Sequence, residues 1–235
     1  MRVLVEFNVY NEADKFRKVL EMIPEERDYD VVIVNDGSTD HFNEVVKDFD
    51  FPVIRHPRNL GIGETIRSAL KYARENGYDI VALLAGNGKM LPEDVPVVVA
   101  PILQGECDYV QGSRFLPGGR GDNLPGKRRW MLKAYTKFVN MMTGFNGTDA
   151  SCGFRAWKLS LLDHPKIDIW QDWLAKYELE SYIHYKALTL GFRVKEVPVS
   201  MIYPPEQKNY SKIKPLVGWW SILRPWLLLK LRLRR

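Results

Sequence analysis

Five short apolar runs, each ending in a polar cluster and each followed by a segment with helical spacing, constrain what this chain of 235 residues can become. The runs fall at residues 3–7, 31–34, 52–56, 79–84 and 108–111. Between them, residues 11–23 place Phe16, Val19, Leu20 and Ile23 on one helical face, and Phe42, Val45, Val46 and Phe49 repeat that spacing. Residues 64–75 predict a third helix, stopped by Asn76-Gly77, and a fourth opens near Pro92-Glu93-Asp94. Strands alternating with helices at this spacing predict βαβ units, hence an α/β fold with a mostly parallel sheet covered on both faces. Ligands of such sheets bind beyond the carboxyl ends of the strands. The polar clusters at 8–12, 35–40, 85–89 and 112–114 all fall there.

Beyond residue 117 the pattern changes. A Gly/Pro-rich loop (117–125) precedes a basic-apolar helix (127–142), a polar turn-rich stretch (146–155), a long helix (173–190) and a strand pair or extended arm (192–203). A charged loop at 204–214 leads into an aromatic, basic tail. The expected organisation is one domain over residues 1–213 and an amphipathic tail over 214–235. A content of 46% hydrophobic and 27% charged residues excludes disordered and collagen-like chains. The formal charge of +5 fits an anionic partner: a phosphate-bearing substrate, a nucleic acid or a membrane surface. No nucleic-acid reader motif or regular basic stripe is present, so nucleic acid is not expected. Cys107 and Cys152 lack metal-ligand spacing, which predicts reduced thiols and a cytosolic setting. The first residues become polar too early for a signal peptide, and no apolar run reaches the roughly 20 residues that span a bilayer.

Asp36 follows a buried run within Asn35-Asp36-Gly37-Ser38-Thr39-Asp40, where a carboxylate accepts hydrogen bonds from a base or from ribose hydroxyls. Ser38, Thr39 and Asp40 are expected to cap the helix that follows. Gly61-Ile62-Gly63 lacks the third glycine of a dinucleotide loop and reads as a close turn opening a helix.

Taken in order, these motifs resemble the family 2 glycosyltransferases. Asn8-Val9-Tyr10-Asn11-Glu12 looks like their PVYNE opening, residues 34–40 their VDDGSxD, Asn59-Leu60-Gly61 their NxG and Gly112-Ser113-Arg114 their GSR. Thr148-Asp149 through Gly153-Phe154-Arg155 resembles the TDxxxGFR stretch of the polyprenyl-phosphate branch, which includes the dolichol-phosphate mannose synthases, and Ser211-Lys212 a late SK element. The resemblance spans roughly residues 3–213. It implies a GT-A fold, with a nucleoside diphosphate sugar (UDP- or GDP-linked) held by Asn8, Tyr10, Glu12, Val34, Asp36, Ala85, Gly86, Asn87 and Lys212. It further implies an acceptor phosphate held by Arg114 with Arg128 or Arg129, for which a forked guanidinium is well suited. Asp149 is the carboxylate available if a general base is needed, or else a loop cap beside Thr148.

The chain departs from the family where a DxD element, typically DADGQ, binds ribose and a divalent metal. Here stand Ala85-Gly86-Asn87-Gly88-Lys89. Hard divalent ions want carboxylate oxygens, so no metal ligands are assigned and no cofactor is expected, with Mg2+ or Mn2+ retained only if Asn87 supports one. Lys89 is expected to stabilise the departing diphosphate in the metal's place. Asn8 also replaces the family's proline, and Asn35 its first aspartate.

The tail gathers Trp219, Trp220 and Trp226 with leucines, then Lys230, Arg232, Arg234 and Arg235, the composition of segments lying among anionic headgroups. The alternative is a helix packed back onto the domain. The resulting expectation is a peripheral enzyme on the cytoplasmic face of a membrane, transferring a sugar with inversion to a polyprenyl phosphate or related lipid. Catalysis would rest on Lys89, Arg114 and Asp149. Transfer to a soluble or polymer-bound hydroxyl, with Asp149 as base, is the alternative enzyme reading. A catalytically silent nucleotide-sugar-binding scaffold is the alternative from another class.

Overall fold

Strand β1 (Val3–Val9) lies at the heart of the sheet, with β2 (Asp30–Asn35) on one side and β4 (Ile80–Ala85) on the other, both parallel to it. The computed structural model describes residues 1–203 and 217–234. Its remaining strands are β3 (Val53–Arg55), β5 (Tyr109–Ser113), β6 (Arg155–Lys158) and β7 (Val194–Pro198), and the sheet order is β3-β2-β1-β4-β6-β5-β7. Every neighbouring pair is parallel except those made by β6, which runs antiparallel to both β4 and β5.

Among the described residues seven helices accompany the strands: α1 (Ala13–Glu21), α2 (Phe42–Val46), α3 (Ile62–Glu75), α4 (Val95–Leu103), α5 (Gly126–Thr143), α6 (Glu178–Thr189) and α7 (Val217–Lys230). Val3, Val5, Phe7 and Val9 face α1, α2 and α4, whose Phe16, Leu20, Phe42 and Val98 complete that core. Leu4, Val32, Val34 and Leu83 face the other way, onto Ile66 and Leu70 of α3 and Leu179 and Ile183 of α6. Burial on both faces is why these strands read as continuous apolar runs without alternation. The expected α/β architecture is the one observed.

Two segments differ from the sequence reading, each for a physical reason. The stretch at 146–155 leads into β6, whose four residues are too few and too buried to show a period. The helix expected from residue 173 starts at Glu178, after a single 3-10 turn at Asp172–Leu174. That turn is pressed against the start of α3: a Cβ on Gly63 would stand 2.2 Å from the Leu174 carbonyl oxygen, and one on Gly61 2.7 Å from that of Ala175. Gly61 also has φ +104°, so this pair of glycines serves a turn and a close backbone approach together. The arm at 192–203 is β7 followed by isolated bridges from Ser200 to Arg120 and from Met201 to Met90.

Helix α7 lies against α5 and α6. Trp226 is fully buried, its indole N–H donating to Tyr135 Oη at 2.9 Å and its ring meeting His184 and Tyr185 edge-on. Arg224 pairs with Glu178 at 2.8 Å. Trp226 is therefore a core residue and not one that faces headgroups; a buried indole is tolerated because its N–H has found an acceptor. Trp220, Leu231 and Leu233 remain exposed.

Candidate active site

The carboxyl ends of β1, β2 and β4 form one rim. Asn8, at the end of β1, donates from Nδ2 to the Leu84 carbonyl at 3.1 Å, and its own carbonyl accepts the Gly86 N–H at 2.9 Å. Asn11 has positive φ (49°), and its side chain accepts the Thr39 N–H at 2.8 Å while its N–H donates to Ser38 Oγ at 3.0 Å. Asp40 accepts the Ala13 N–H at 2.9 Å. Ser38 and Asp40 thus cap the approach to α1 and not, as expected, the helix that follows them. The reason is that the loops after β1 and β2 lie side by side, which brings α1's unsatisfied N–H groups within reach. Tyr10 is exposed at this rim, and Glu12 pairs with Lys15 at 2.6 Å.

Asp36 is nearly fully buried. It accepts the Leu60 and Gly61 N–H groups, both at 2.9 Å, and contacts His56 Nδ1 at 2.8 Å; His56 Nε2 lies 2.9 Å from Ser68 Oγ. With Nδ1 protonated toward the carboxylate, Nε2 accepts the Ser68 hydroxyl. Asp36 therefore anchors the 56–61 loop at the edge of the rim. Val34, expected among the nucleotide-binding residues, is fully buried inside β2 between β1 and β3. Its side chain belongs to the core.

After β4 the chain makes a tight turn through Gly88 (φ 73°). Met90 closes it, its Sδ accepting the Ala85 N–H at 3.4 Å. Gly86 packs against Val9 and Phe16 so closely that a Cβ would lie 2.7 Å from Val9 Cγ2. Asn87 Oδ1, the one side-chain oxygen of the turn, accepts the Lys89 N–H at 3.2 Å. Among the described residues no group of three His, Cys, Asp or Glu side chains is placed to hold a metal. One amide oxygen beside a lysine is a poor donor set for a hard divalent ion.

Across the rim stands a buried ion pair. Arg114 donates from Nε to Asp149 Oδ2 at 2.6 Å and from Nη2 to Oδ1 at 2.7 Å, and also reaches Tyr203 Oη and Ser151 Oγ. Burial alone would push the guanidinium's pKa down, but the Asp149 carboxylate outweighs it and the pKa is raised. Asp149 is fully buried and also accepts the Arg114 N–H and the Ser151 hydroxyl. The sequence left Asp149 open between base and loop cap; in the structure it is the partner that fixes Arg114. Glu196 of β7 in turn fixes Asp149's loop, accepting the N–H groups of Thr148 at 2.7 Å and of Asp149 at 3.0 Å.

Two aromatic rings organise the remaining charge. Lys89 Nζ lies 5.6 Å and the Arg128 guanidinium 5.5 Å from the Tyr203 ring centre. Arg114, Arg129 and Lys133 lie 5.6, 5.8 and 5.6 Å from that of Phe115. Arg128, Arg129 and Lys133 make no ion pair among the described residues. Burial, with Arg114 nearby, lowers the pKa of Arg128. The structure therefore gathers Lys89, Arg114, Arg128 and Arg129 at one place, and adds Phe115, Lys133 and Tyr203, which sequence reasoning did not single out. Lys212 lies outside the described residues. A separate open cleft of about 400 Å³, lined by Arg74, Asp79, Lys158 and Asp163, sits at the other end of the sheet. There Arg74 pairs with Asp163 and Lys158 with Asp108, leaving little charge for a ligand.

The family model described as Glycosyl transferase family 2 matches residues 8–164. The chain belongs to this family. As a family 2 glycosyltransferase it is 27% identical, over 86% of its length and 84% of the relative's, to an undecaprenyl-phosphate mannosyltransferase of Micrococcus luteus. It is 26% identical, over 83% of each chain, to a UDP-N-acetylglucosamine–dolichyl-phosphate N-acetylglucosaminyltransferase of Methanococcus voltae. Its fold matches that of glucosyl-3-phosphoglycerate synthase from Mycobacterium tuberculosis, solved with Mn2+, UDP and phosphoglyceric acid, with a TM-score of 0.68 at 17% identity over 97% of this chain and 78% of that one. This glycosyltransferase has the GT-A fold, and none of its described helices is long and apolar enough to cross a membrane.

Proposed function

We propose that this glycosyltransferase moves a sugar from a nucleoside diphosphate onto the phosphate of a polyprenyl lipid. The observation that carries the reading is the set of cations around Phe115 and Tyr203. Among the described residues Arg128, Arg129 and Lys133 have no carboxylate to neutralise them, which suits an anionic acceptor with several oxygens. The acceptors named for the two relatives, undecaprenyl phosphate and dolichyl phosphate, supply that chemistry.

A phosphate oxygen attacks the anomeric carbon from the face opposite the nucleotide. The carbon–oxygen bond to the diphosphate breaks, its electron pair leaves with the nucleoside diphosphate, and the configuration inverts. The acceptor is already ionised, so no proton has to be removed, which agrees with the enclosure of Asp149 by Arg114 and Ser151. Lys89, at the end of the 85–89 turn, carries the charge that stabilises the departing diphosphate, and transfer proceeds without a divalent metal. Asn8, Tyr10, Glu12 and the backbone around Gly86 form the donor side of the rim; Asp36 shapes it by holding the 56–61 loop.

A lipid acceptor calls for work at a membrane, and the reading extends to its cytoplasmic face. Helix α5 favours this location: Lys127, Trp130, Lys133, Lys137 and Met141 are exposed, with Trp130 71% and Met141 72% accessible. The test is an assay with radiolabelled UDP- and GDP-hexoses and a short-chain polyprenyl phosphate. Transfer of label into an acid-labile, phosphate-linked lipid is expected. Label found only in free sugar, or only on an added hydroxyl acceptor, would overturn the reading.

A further inference from the structure

Glu180, in the first turn of α6, is a half-buried carboxylate that accepts no hydrogen bond among the described residues. Its position is fixed from behind. Its backbone carbonyl accepts Arg155 Nη1 at 3.1 Å, and the rest of the buried Arg155 side chain is spent on the carbonyls of Cys152 and Ala150. The side chain turns toward Gly153, where a Cβ would stand 3.6 Å from Glu180 Oε1 and 3.0 Å from Met90 Cε. Met90 is the residue whose sulfur closes the turn at 85–90. The carboxylate thus stands beside the turn assigned to the diphosphate, at the carboxyl end of the sheet. The ionisable groups near it are Arg155, Tyr177, Tyr109, Tyr135 and the fully buried Glu6. Burial raises the carboxyl's pKa, and Arg155 offsets that only in part.

A partly desolvated carboxylate without donors is costly unless a ligand brings them. The group attached to the diphosphate is a sugar, whose hydroxyls are donors, and two adjacent hydroxyls can engage the two oxygens of one carboxylate. Gly153 stands in front of Oε1 without a side chain, where a Cβ would lie 3.0 Å from Met90 Cε. We infer that Glu180 binds the hydroxyls of the donor sugar and so selects which hexose is transferred, an inference that rests on the glycosyl-transfer reading above. It makes Glu180 a specificity-determining residue, separate from the groups that hold the nucleotide or the acceptor.

The experiment compares the full chain with Glu180→Gln and Glu180→Ala in calorimetric titrations of UDP, GDP and the corresponding hexose donors, and adds donors lacking one hydroxyl. The free nucleoside diphosphate is expected to bind all three proteins alike. The intact donor is expected to bind the variants about 10- to 100-fold more weakly, the range of a hydrogen bond to a charged group. A deoxy donor should lose affinity for the wild type and lose nothing further in the variants. Equal donor affinity in wild type and Glu180→Gln overturns the inference, as does a parallel loss of nucleotide and donor, which would mark a structural role. Should a variant fail to fold, the deoxy series on the wild type decides: if no removed hydroxyl matters, Glu180 does not read the sugar. Binding of neither nucleotide to the wild type would overturn the donor reading itself.

Discussion

Lys89 and Glu6 show how single charges set the behaviour of this protein. Lys89 stands at the end of a turn whose one side-chain oxygen is already used, and the proposed mechanism gives its ammonium the charge balance of the departing diphosphate. Turnover is expected to persist in EDTA, and Lys89→Ala to lose about 10²- to 10³-fold in kcat, the loss seen when one preorganised donor is removed from a transition state. Wild-type activity that vanishes in EDTA and returns with Mn2+ would assign that charge to a metal. Glu6 is fully buried on β1, with no partner within hydrogen-bond geometry at its carboxyl oxygens among the described residues, and burial, opposed by nearby Asn8 and reinforced by Glu180, pushes its pKa to about 8. The folded state therefore holds a proton that the unfolded chain releases near 4.5. Glu6's contribution to stability is complete below pH 4.5, declines as pH rises, and is gone above about 8. Glu6→Gln should flatten this decline, raising Tm at pH 8 more than at pH 5; equal shifts at both would exclude Glu6 as its source. Lys89 was legible in the sequence because it follows an apolar run at the place where the family's DxD element would stand. Phe115, Lys133 and Tyr203 were not, because nothing local marks them: they come together only when the start of α5 and the arm after β7 meet β5.

The elements were legible in proportion to how much local pattern they carry. Strands β1 to β5 and helices α1 and α3 announce themselves through apolar runs, periodicity and a Gly stop. Strand β6 has four residues buried between two neighbours, so its antiparallel place between β4 and β5 depends on tertiary pairing alone. The start of α6 is set by the glycines of α3, over a hundred residues earlier, which no window of sequence can contain. Helix α7 gives the clearest element-scale test. Its composition suits a lipid interface, yet Trp226 is enclosed by Tyr135, His184 and Tyr185 and hydrogen-bonded at its indole nitrogen. Trp226→Ala should cost about 3–5 kcal/mol, as for other buried Trp truncations, read as a lowered urea midpoint. A change below roughly 1 kcal/mol would mean that α7 contributes little to the fold, against the packing described.

At the scale of the whole molecule, helix α5 joins the proposed acceptor site to the proposed membrane face. One side of it buries Leu132, Tyr135, Val139 and Met142; its amino end sends Arg128 to Tyr203 and Arg129 and Lys133 to Phe115. The opposite side exposes Trp130, Lys137 and Met141. A helix with its side chains is about 10 Å across. A phosphate held by the cations therefore lies within one helix diameter of any surface on which the exposed side rests, about the depth at which a lipid headgroup phosphate sits. Net charge acts in the same direction, and anionic lipid should strengthen binding through the lysines while Trp130 and Met141 enter the interface. The whole chain is expected to float with vesicles containing phosphatidylglycerol and to dissociate as salt rises, because exposed charges are screened within about 10 Å at 0.1 M. Trp130→Ala with Met141→Ala should weaken vesicle binding by roughly ten-fold or more, from lost apolar burial, and leave Tm unchanged because both side chains are exposed. Turnover should then fall with long-chain polyprenyl phosphate in vesicles yet stay near wild type with a short, water-soluble analogue. Wild-type vesicle binding by this double variant would remove α5 from the membrane face and leave the cations around Phe115 and Tyr203 serving a soluble anion.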